Sequence, residues 1–135
     1  MAGIKLDGAG QAKMKTLEDA TVILQRIHNL VEQYALAVKR NQSAGSYMMN
    51  LKRQFPALAS LLKGQFGMIA DQVFAINLQI GRGSNETMRV RQMREGVAVI
   101  RQALEIMVAH VLEKHQMPEE KEGPEGEKNP PQTAP

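Results

Sequence analysis

The sequence predicts an all-α fold, an antiparallel up-and-down helical bundle of the four-helix type that assembles into a homo-oligomer. Three observations predict it. Apolar residues recur at spacings of three and four through most of residues 16–117, as on one face of a helix. No period-two alternation runs beyond a few residues, so no sheet is expected. Breaks rich in Gly, Ser, Asn and Pro cut the pattern into three long helical pieces and one short one, which suits a bundle with short connections. The chain has 135 residues, enough for one domain.

The elements follow in order. Residues 1–15 hold Gly3, Gly8 and Gly10 without a periodic apolar pattern, so a flexible arm is expected, with Lys5, Lys13 and Lys15 adding loose phosphate contacts. Thr16 is an N-cap candidate with Asp19 three residues on. Ala20, Ile23, Ile27, Leu30, Tyr34 and Val38 then mark one helical face, widened by Leu24 and Val31, and the first helix is expected over about 16–42. Ser43, Ala44 and Gly45 interrupt it, and a short piece is expected over 46–54. Pro56 predicts a break, because the residue before a proline is pushed away from helical angles.

A second long helix is expected from Pro56 or Ala57 to about Gln79, with a seam of Leu58, Leu62, Phe66, Ile69, Val73, Ile76 and Ile80. Leu61, Met68, Phe74 and Leu78 lie off that seam, so the helix is apolar around much of its girth. Such a helix is central in its bundle or shared with another subunit. Gly64 and Gly67 fall inside it and suggest close approach by a neighbour. Gln65, Gln72 and Gln79 form a seven-residue stripe, either plainly solvated or a hydrogen-bonded contact between subunits. Residues 81–85, Gly-Arg-Gly-Ser-Asn, break the pattern, with Gly81 suited to a helix end and Ser84 to an N-cap. The last helix is expected to reach about His115, with Met93, Val97, Ile100, Leu104, Met107 and Val111 as its seam and Gly96 beside it. The helical bundle therefore spans 16–117. Residues 118–135 hold five of the six prolines and no large apolar side chain. They cannot bury enough surface to offset their ordering entropy, and disorder is expected.

The net charge of +3 hides an uneven distribution. The tail has five Glu and two Lys. Between Lys39 and Arg101 lie ten basic residues and three acidic ones. This is either an ordinary solvated helical surface with a solubility tail, or a polyanion-binding face that the tail screens or competes for. Arg82, Arg89, Arg91, Arg94 and Arg101, with Lys52 and Arg53, are the candidate nucleic-acid-binding residues. The arginine fork suits phosphate, and a helix start near Ser84 adds free amides. Aromatics are 4% of the chain, so base stacking is a poor mechanism, and binding by backbone charge and shape fits better.

Other chemistries find little footing. No cysteine is present, which excludes thiolate metal sites and Cys nucleophiles. His28, His110 and His115 lack a metal-ligand spacing, and His110 is expected to be partly buried near the last seam. No catalytic constellation accompanies the carboxylates Glu18, Asp19, Glu105 or Glu113, so no enzyme, cofactor or metal is expected. No apolar run is long enough for a membrane span and no secretory leader is evident, which makes a cytoplasmic protein the expectation. Residues 60–64, Ser-Leu-Leu-Lys-Gly, match a histidine-phosphotransfer pattern with Ser60 in place of the reactive histidine, which leaves at most a pseudo-phosphotransfer adaptor.

Residues 54–107, 54 of the 135, carry a family resemblance. Phe55-Pro56, the apolar helix through Ile80, the Gly-Arg-Gly-Ser-Asn break at 81–85, Arg94-Glu95-Gly96 and the run 102–106 (Gln-Ala-Leu-Glu-Ile) together resemble the four-helix-bundle proteins of 23S ribosomal RNA intervening sequences. These share their fold with the accessory variability determinant proteins of diversity-generating retroelements. The chain departs from them after His115, where they continue into another helix. The resemblance implies a homo-oligomeric bundle, a pentamer in the retroelement proteins, that binds structured RNA or cDNA and a reverse transcriptase. The reading is a non-enzymatic nucleic-acid-binding accessory protein. The alternative is a helical protein–protein module, such as a small subunit of a ribonucleoprotein or the pseudo-phosphotransfer adaptor.

Overall fold

Four helices carry the chain: α1 (Gly8–Lys39), α2 (Gly45–Lys63), α3 (Gly67–Gly81) and α4 (Glu86–Lys114). They are seen in a computed structural model that describes residues 5–82 and 85–117. The expectations for Gly83, the Ser84 cap and the segment 118–135 lie outside the described residues. Among the described residues there is no strand, and one isolated bridge pairs Leu6 with Gln116. Each helix packs on its two neighbours, α1 on α2 and α4, α3 on α2 and α4, and neither diagonal pair is in contact. The centre of this ring is filled by Leu17, Leu24, Ile27, Val31 and Tyr34 of α1, Leu51, Phe55, Leu58 and Leu62 of α2, Val73 of α3, and Met93, Val97, Ile100, Leu104 and Val111 of α4. A fully buried side chain of this size contributes about 1.5–3 kcal/mol.

The first helix begins at Gly8, eight residues before the expected start, so much of the segment read as a flexible arm is helical. The Asp7 carboxylate caps it, accepting from the Gly10 amide at 2.7 Å. The chain before it is tied to the end of α4. The Asp7 amide donates to the His115 carbonyl (3.1 Å), and the Met117 amide donates to the Lys5 carbonyl (2.8 Å). The His115 ring lies against Asp7 at 3.1 Å and Lys13 at 3.5 Å. Gly10 is required here, since a Cβ on it would fall 2.5 Å from the His115 Cβ. The sequence reading took these glycines as flexibility, whereas Gly10 is a point of close packing.

The break expected at Pro56 is also misplaced. Pro56 sits inside α2, which runs unbroken from Gly45 to Lys63. A proline inside a helix costs about 3 kcal/mol. Leu51, Phe55, Leu58 and Leu62, all nearly inaccessible, hold the helix to the core on both sides of it, and their combined burial outweighs that cost. Pro56 sets no loop, and the exposed Lys52 one turn earlier leaves the unpaired carbonyl near water. The chain turns instead at residues 64–66. There Phe66 is buried and its amide bonds to the Leu62 carbonyl at 2.7 Å. The seam from Leu58 to Ile80 is therefore shared by two helices that face one core across a three-residue connection. Gly64 and Gly67 have open space where a Cβ would be, so close approach does not explain them. Gly96 is the glycine with that role. A Cβ there would meet the Ile76 Cγ2 at 2.8 Å, so α3 and α4 touch at this point.

The last helix is capped by Asn85, whose side chain accepts from the Met88 amide at 2.8 Å. The first helix ends at Lys39, and Asn41 takes a left-handed φ of 53°, a conformation Asn tolerates. The Asn41 and Gln42 amides return to the Val38 and Ala37 carbonyls, closing the helix end.

Two outcomes follow from this packing. Gly96→Ala should destabilise the protein by about 1–2 kcal/mol in urea denaturation, because overpacking exceeds the gain in helix propensity. Adding Ile76→Val should recover part of the loss, and Gly64→Ala should be neutral or stabilising. Equal effects at Gly64 and Gly96 would contradict the contact. The second outcome concerns Asp7. Its carboxyl is held below the ordinary carboxylate range chiefly by the Gly10 amide, against desolvation, which is the next largest effect, with His115 and then Lys13 adding smaller pulls in the same direction as Gly10. The folded value lies below the unfolded one, so its contribution is complete above the unfolded value and is lost as pH falls through the folded value. Asp7→Ala should lower the melting temperature at pH 7, and its difference from wild type should shrink as pH drops below about 4. A difference that stays constant down to about pH 2 would show that the carboxylate charge is immaterial.

Candidate nucleic-acid interface

The connections 40–44 and 82–85 lie at one end of the ring. A hollow there is lined by Ala35, Val38 and Lys39 of α1 and by Asn85, Thr87, Arg91, Arg94 and Glu95 at the start of α4. At the opposite end, Lys13 of α1, Gln65 and Phe66 of the α2–α3 connection, and Lys114 and His115 line another hollow. Cations gather at the first end. Lys39 closes α1 and Arg40 caps it, and Arg82 caps α3. Lys52 and Arg53 are exposed near the middle of α2, about 10 Å from its start by helix rise. These five side chains form no ion pair among the described residues. The carboxylate nearest to them in the chain is Glu86, placed in the first turn of α4, where a negative charge favours the helix dipole.

Three of the four arginines of α4, which the sequence reading placed at the centre of the interface, are engaged within the fold. Arg94 forks onto Glu32 of α1, with Nε donating at 2.9 Å and Nη2 at 2.7 Å. Arg91 lies 3.7 Å from Glu95 on its own helix. Arg89 is half-buried and donates to the Tyr34 hydroxyl at 3.3 Å. This contact gives the phenol of a fully buried tyrosine its partner. Arg101 is half-buried along the α1–α4 crevice beside Thr21, Gln25 and Glu105, about 22 Å from the start of α4. Of the seven expected residues, the fold puts Arg82 at the first end and Lys52 and Arg53 near the middle of α2, and none of the three forms an ion pair among the described residues. It holds Arg89, Arg91 and Arg94 nearby in contacts of their own, and it sets Arg101 apart. Lys39 and Arg40 belong with the first group. Their place in the basic window was visible in the sequence, but their position depends on where α1 stops.

The Arg94 guanidinium, by its hydrogen bonds and its charge, holds Glu32 below the ordinary carboxylate range, and Glu32 raises Arg94 in turn. His110, expected to be partly buried, is exposed. Ser60 is exposed on α2, beside Lys63 in a surface hollow that Asp71 and Phe74 close from α3. Among the described residues no group of three or more His, Asp or Glu is placed to hold a metal. No helix described is long and apolar enough to cross a membrane. In comparisons with protein-family models, curated proteins and solved structures, nothing matches this chain.

The Arg94–Glu32 pair is exposed, and exposed pairs contribute roughly 0.2–1 kcal/mol. A double-mutant cycle with Arg94→Met and Glu32→Gln should give a coupling in that range at pH 7. Glu32 is depressed in the folded state, so the coupling should persist above its unfolded value and disappear as pH falls well below about 4. A coupling above about 2 kcal/mol, or one unchanged at low pH, would contradict a screened surface pair.

Proposed function

We propose that this protein is a non-enzymatic accessory bundle that binds the phosphate backbone of a structured nucleic acid through Lys39, Arg40 and Arg82 at one end of the ring and Lys52 and Arg53 along α2. The observation that carries the reading is a set of five cations, at the ends of α1 and α3 and near the middle of α2, that form no ion pair among the described residues. Phosphate binding depends on such charges, and Arg adds a planar two-donor fork. The arginines of α4 border this end and support its positive field while serving the fold.

The bundle is proposed to be antiparallel. Three pairings support this: Asp7 with His115, Glu32 with Arg94, and Tyr34 with Arg89, in which residue numbers fall along α4 as they rise along α1. Copies of the chain are proposed to associate, because large apolar side chains remain exposed on α3 and α4. The resemblance to retroelement accessory proteins extends the reading to a reverse transcriptase as partner. Its Gly-Arg-Gly-Ser-Asn element falls between α3 and α4, while its Phe-Pro element lies inside α2 rather than at a helix start. A helical protein–protein module is the second reading, favoured by the exposed apolar side chains of α3, Met68, Phe74 and Leu78.

Residues 118–135 hold five Glu and two Lys. Competition by that charge predicts that deleting them tightens nucleic-acid binding at low salt, and unchanged affinity at low salt would show that the segment does not compete.

Combined reversal of Arg40, Arg53 and Arg82 to Glu should abolish binding of a structured RNA at 100 mM salt while leaving the helical circular dichroism intact. Arg101→Glu should bind within a few-fold of wild type. Loss of binding only with Arg101→Glu would move the interface to the α1–α4 crevice. Absence of RNA and DNA binding by the wild type at 50 mM salt would replace this reading with the protein–protein module.

A further inference from the structure

The hollow between the end of α1 and the start of α4 combines an apolar floor with a polar rim. Its volume is about 970 Å³, in the upper part of the ~300–1,000 Å³ range of ligand pockets. The floor is made by Ala35 and Val38 of α1 and the buried Val90 of α4. On the rim, Asn85 uses its side-chain oxygen to accept from the Met88 amide, which leaves its NH2 group to donate. Thr87 adds a hydroxyl and Glu95 a carboxylate. Lys39 lies on the α1 side of the same rim, and Arg40 follows it at the helix end. Arg94 also lines the hollow, with its guanidinium fixed. Two hydrogen bonds to Glu32 hold the plane, and 53% of the side chain stays exposed. A guanidinium pinned by a carboxylate has donors already engaged, but its flat face can still stack on a base.

We propose that this hollow receives the base of an unpaired nucleotide. The inference rests on the nucleic-acid reading above and names the class of nucleic acid that the site takes. A base has two flat apolar faces and an edge of donors and acceptors, and the hollow offers partners to both. One face rests on Ala35, Val38 and Val90, and the Arg94 plane is available to the other. The edge meets the Asn85 donor, the Thr87 hydroxyl and the Glu95 acceptor. No aromatic ring is needed, in agreement with a chain that is 4% aromatic. Charge places the rest of the nucleotide. Its flanking phosphates fall at the end of α1, where Lys39 and Arg40 form no ion pair among the described residues. Glu95 is the one carboxylate among the lining residues, and Arg91 stands 3.7 Å from it. A purely aliphatic ligand would leave the rim donors and acceptors unmatched. A base inside an intact duplex is stacked on both faces and paired along its edge, so it cannot enter. The site therefore selects bulges, loops and single-stranded ends over uninterrupted helix.

Two blunt-ended RNA duplexes test this, identical except that one carries a single-adenosine bulge. The full chain should bind the bulged duplex about tenfold more tightly at 100 mM salt, within the range of one stacked base. In NMR spectra the methyl signals of Ala35, Val38 and Val90 should shift with the bulged duplex and not with the uninterrupted one. Ala35→Leu, which fills the floor without changing charge, should bring the two duplexes to equal affinity. Where that variant fails to fold, the wild-type methyl shifts decide. Equal wild-type affinities with unmoved methyls would overturn the base site and leave backbone binding standing. A bulge preference with shifts at Leu104 and Val108 instead would put the base in the α1–α4 crevice and overturn this assignment. Binding of neither duplex at 50 mM salt would overturn the nucleic-acid reading and this inference with it.

Discussion

The pairing of α1 with α4 is the constraint on which the rest of this structure depends. These are the two longest helices, 32 and 29 residues, and they are joined along their whole length. At one end the chain flanking Asp7 is stitched to His115 and Met117. In the middle the ridges of Leu17, Leu24, Ile27 and Val31 meet those of Val97, Ile100 and Leu104 inside the core. At the other end Glu32 and Tyr34 receive Arg94 and Arg89. The shorter α2 and α3 close the ring against this pair. Their placement leaves Lys39, Arg40 and Arg82 at one end of the ring.

Polar contacts along the pair add direction more than strength. An exposed ion pair such as Arg94–Glu32 is worth little beside the apolar burial beneath it. It does fix register. Sliding α4 by one turn would separate the fork from its carboxylate and push a side chain other than that of Gly96 against Ile76. The same register holds Gly10 under the His115 ring. Small residues at two close approaches, with hydrogen-bonded pairs between them, thus specify one alignment of the long helices.

The helical class and most of the core were legible in the sequence because the three-and-four spacing survives wherever a helix faces a core. Tyr34, Leu58, Val73, Ile100 and Val111 all fall where that spacing places them. The boundaries were less legible. Pro56 carries a local preference for a break, and burial on both sides of it overrides that preference. The turn at 64–66 was hidden because Phe66 keeps the apolar spacing while the chain reverses. Asp7 could have marked the helix start, yet its cap holds only because the distant His115 segment docks there, and that is a tertiary fact. The candidate interface was legible as a basic window between Lys39 and Arg101. The Arg91–Glu95 pair is legible as an i,i+4 spacing on one helix, but the sequence could not show Arg94 and Arg89 held by Glu32 and Tyr34, because that depends on which residues of α1 meet α4.

A division of labour among the cations is the central claim of this account: paired arginines align the long helices, and five cations that form no ion pair among the described residues are proposed to meet phosphate. The salt dependence of wild-type binding to a structured RNA tests it most directly. Each phosphate contact contributes about 0.7–0.9 to the slope of log affinity against log salt, so five unpaired cations give a slope of at most about 4.5 in magnitude. The account predicts a slope of about 3 to 4.5. A slope near zero would show that charge does not drive binding. A slope above about 6 would require the arginines of α4 to leave their partners for phosphate, which contradicts their structural role.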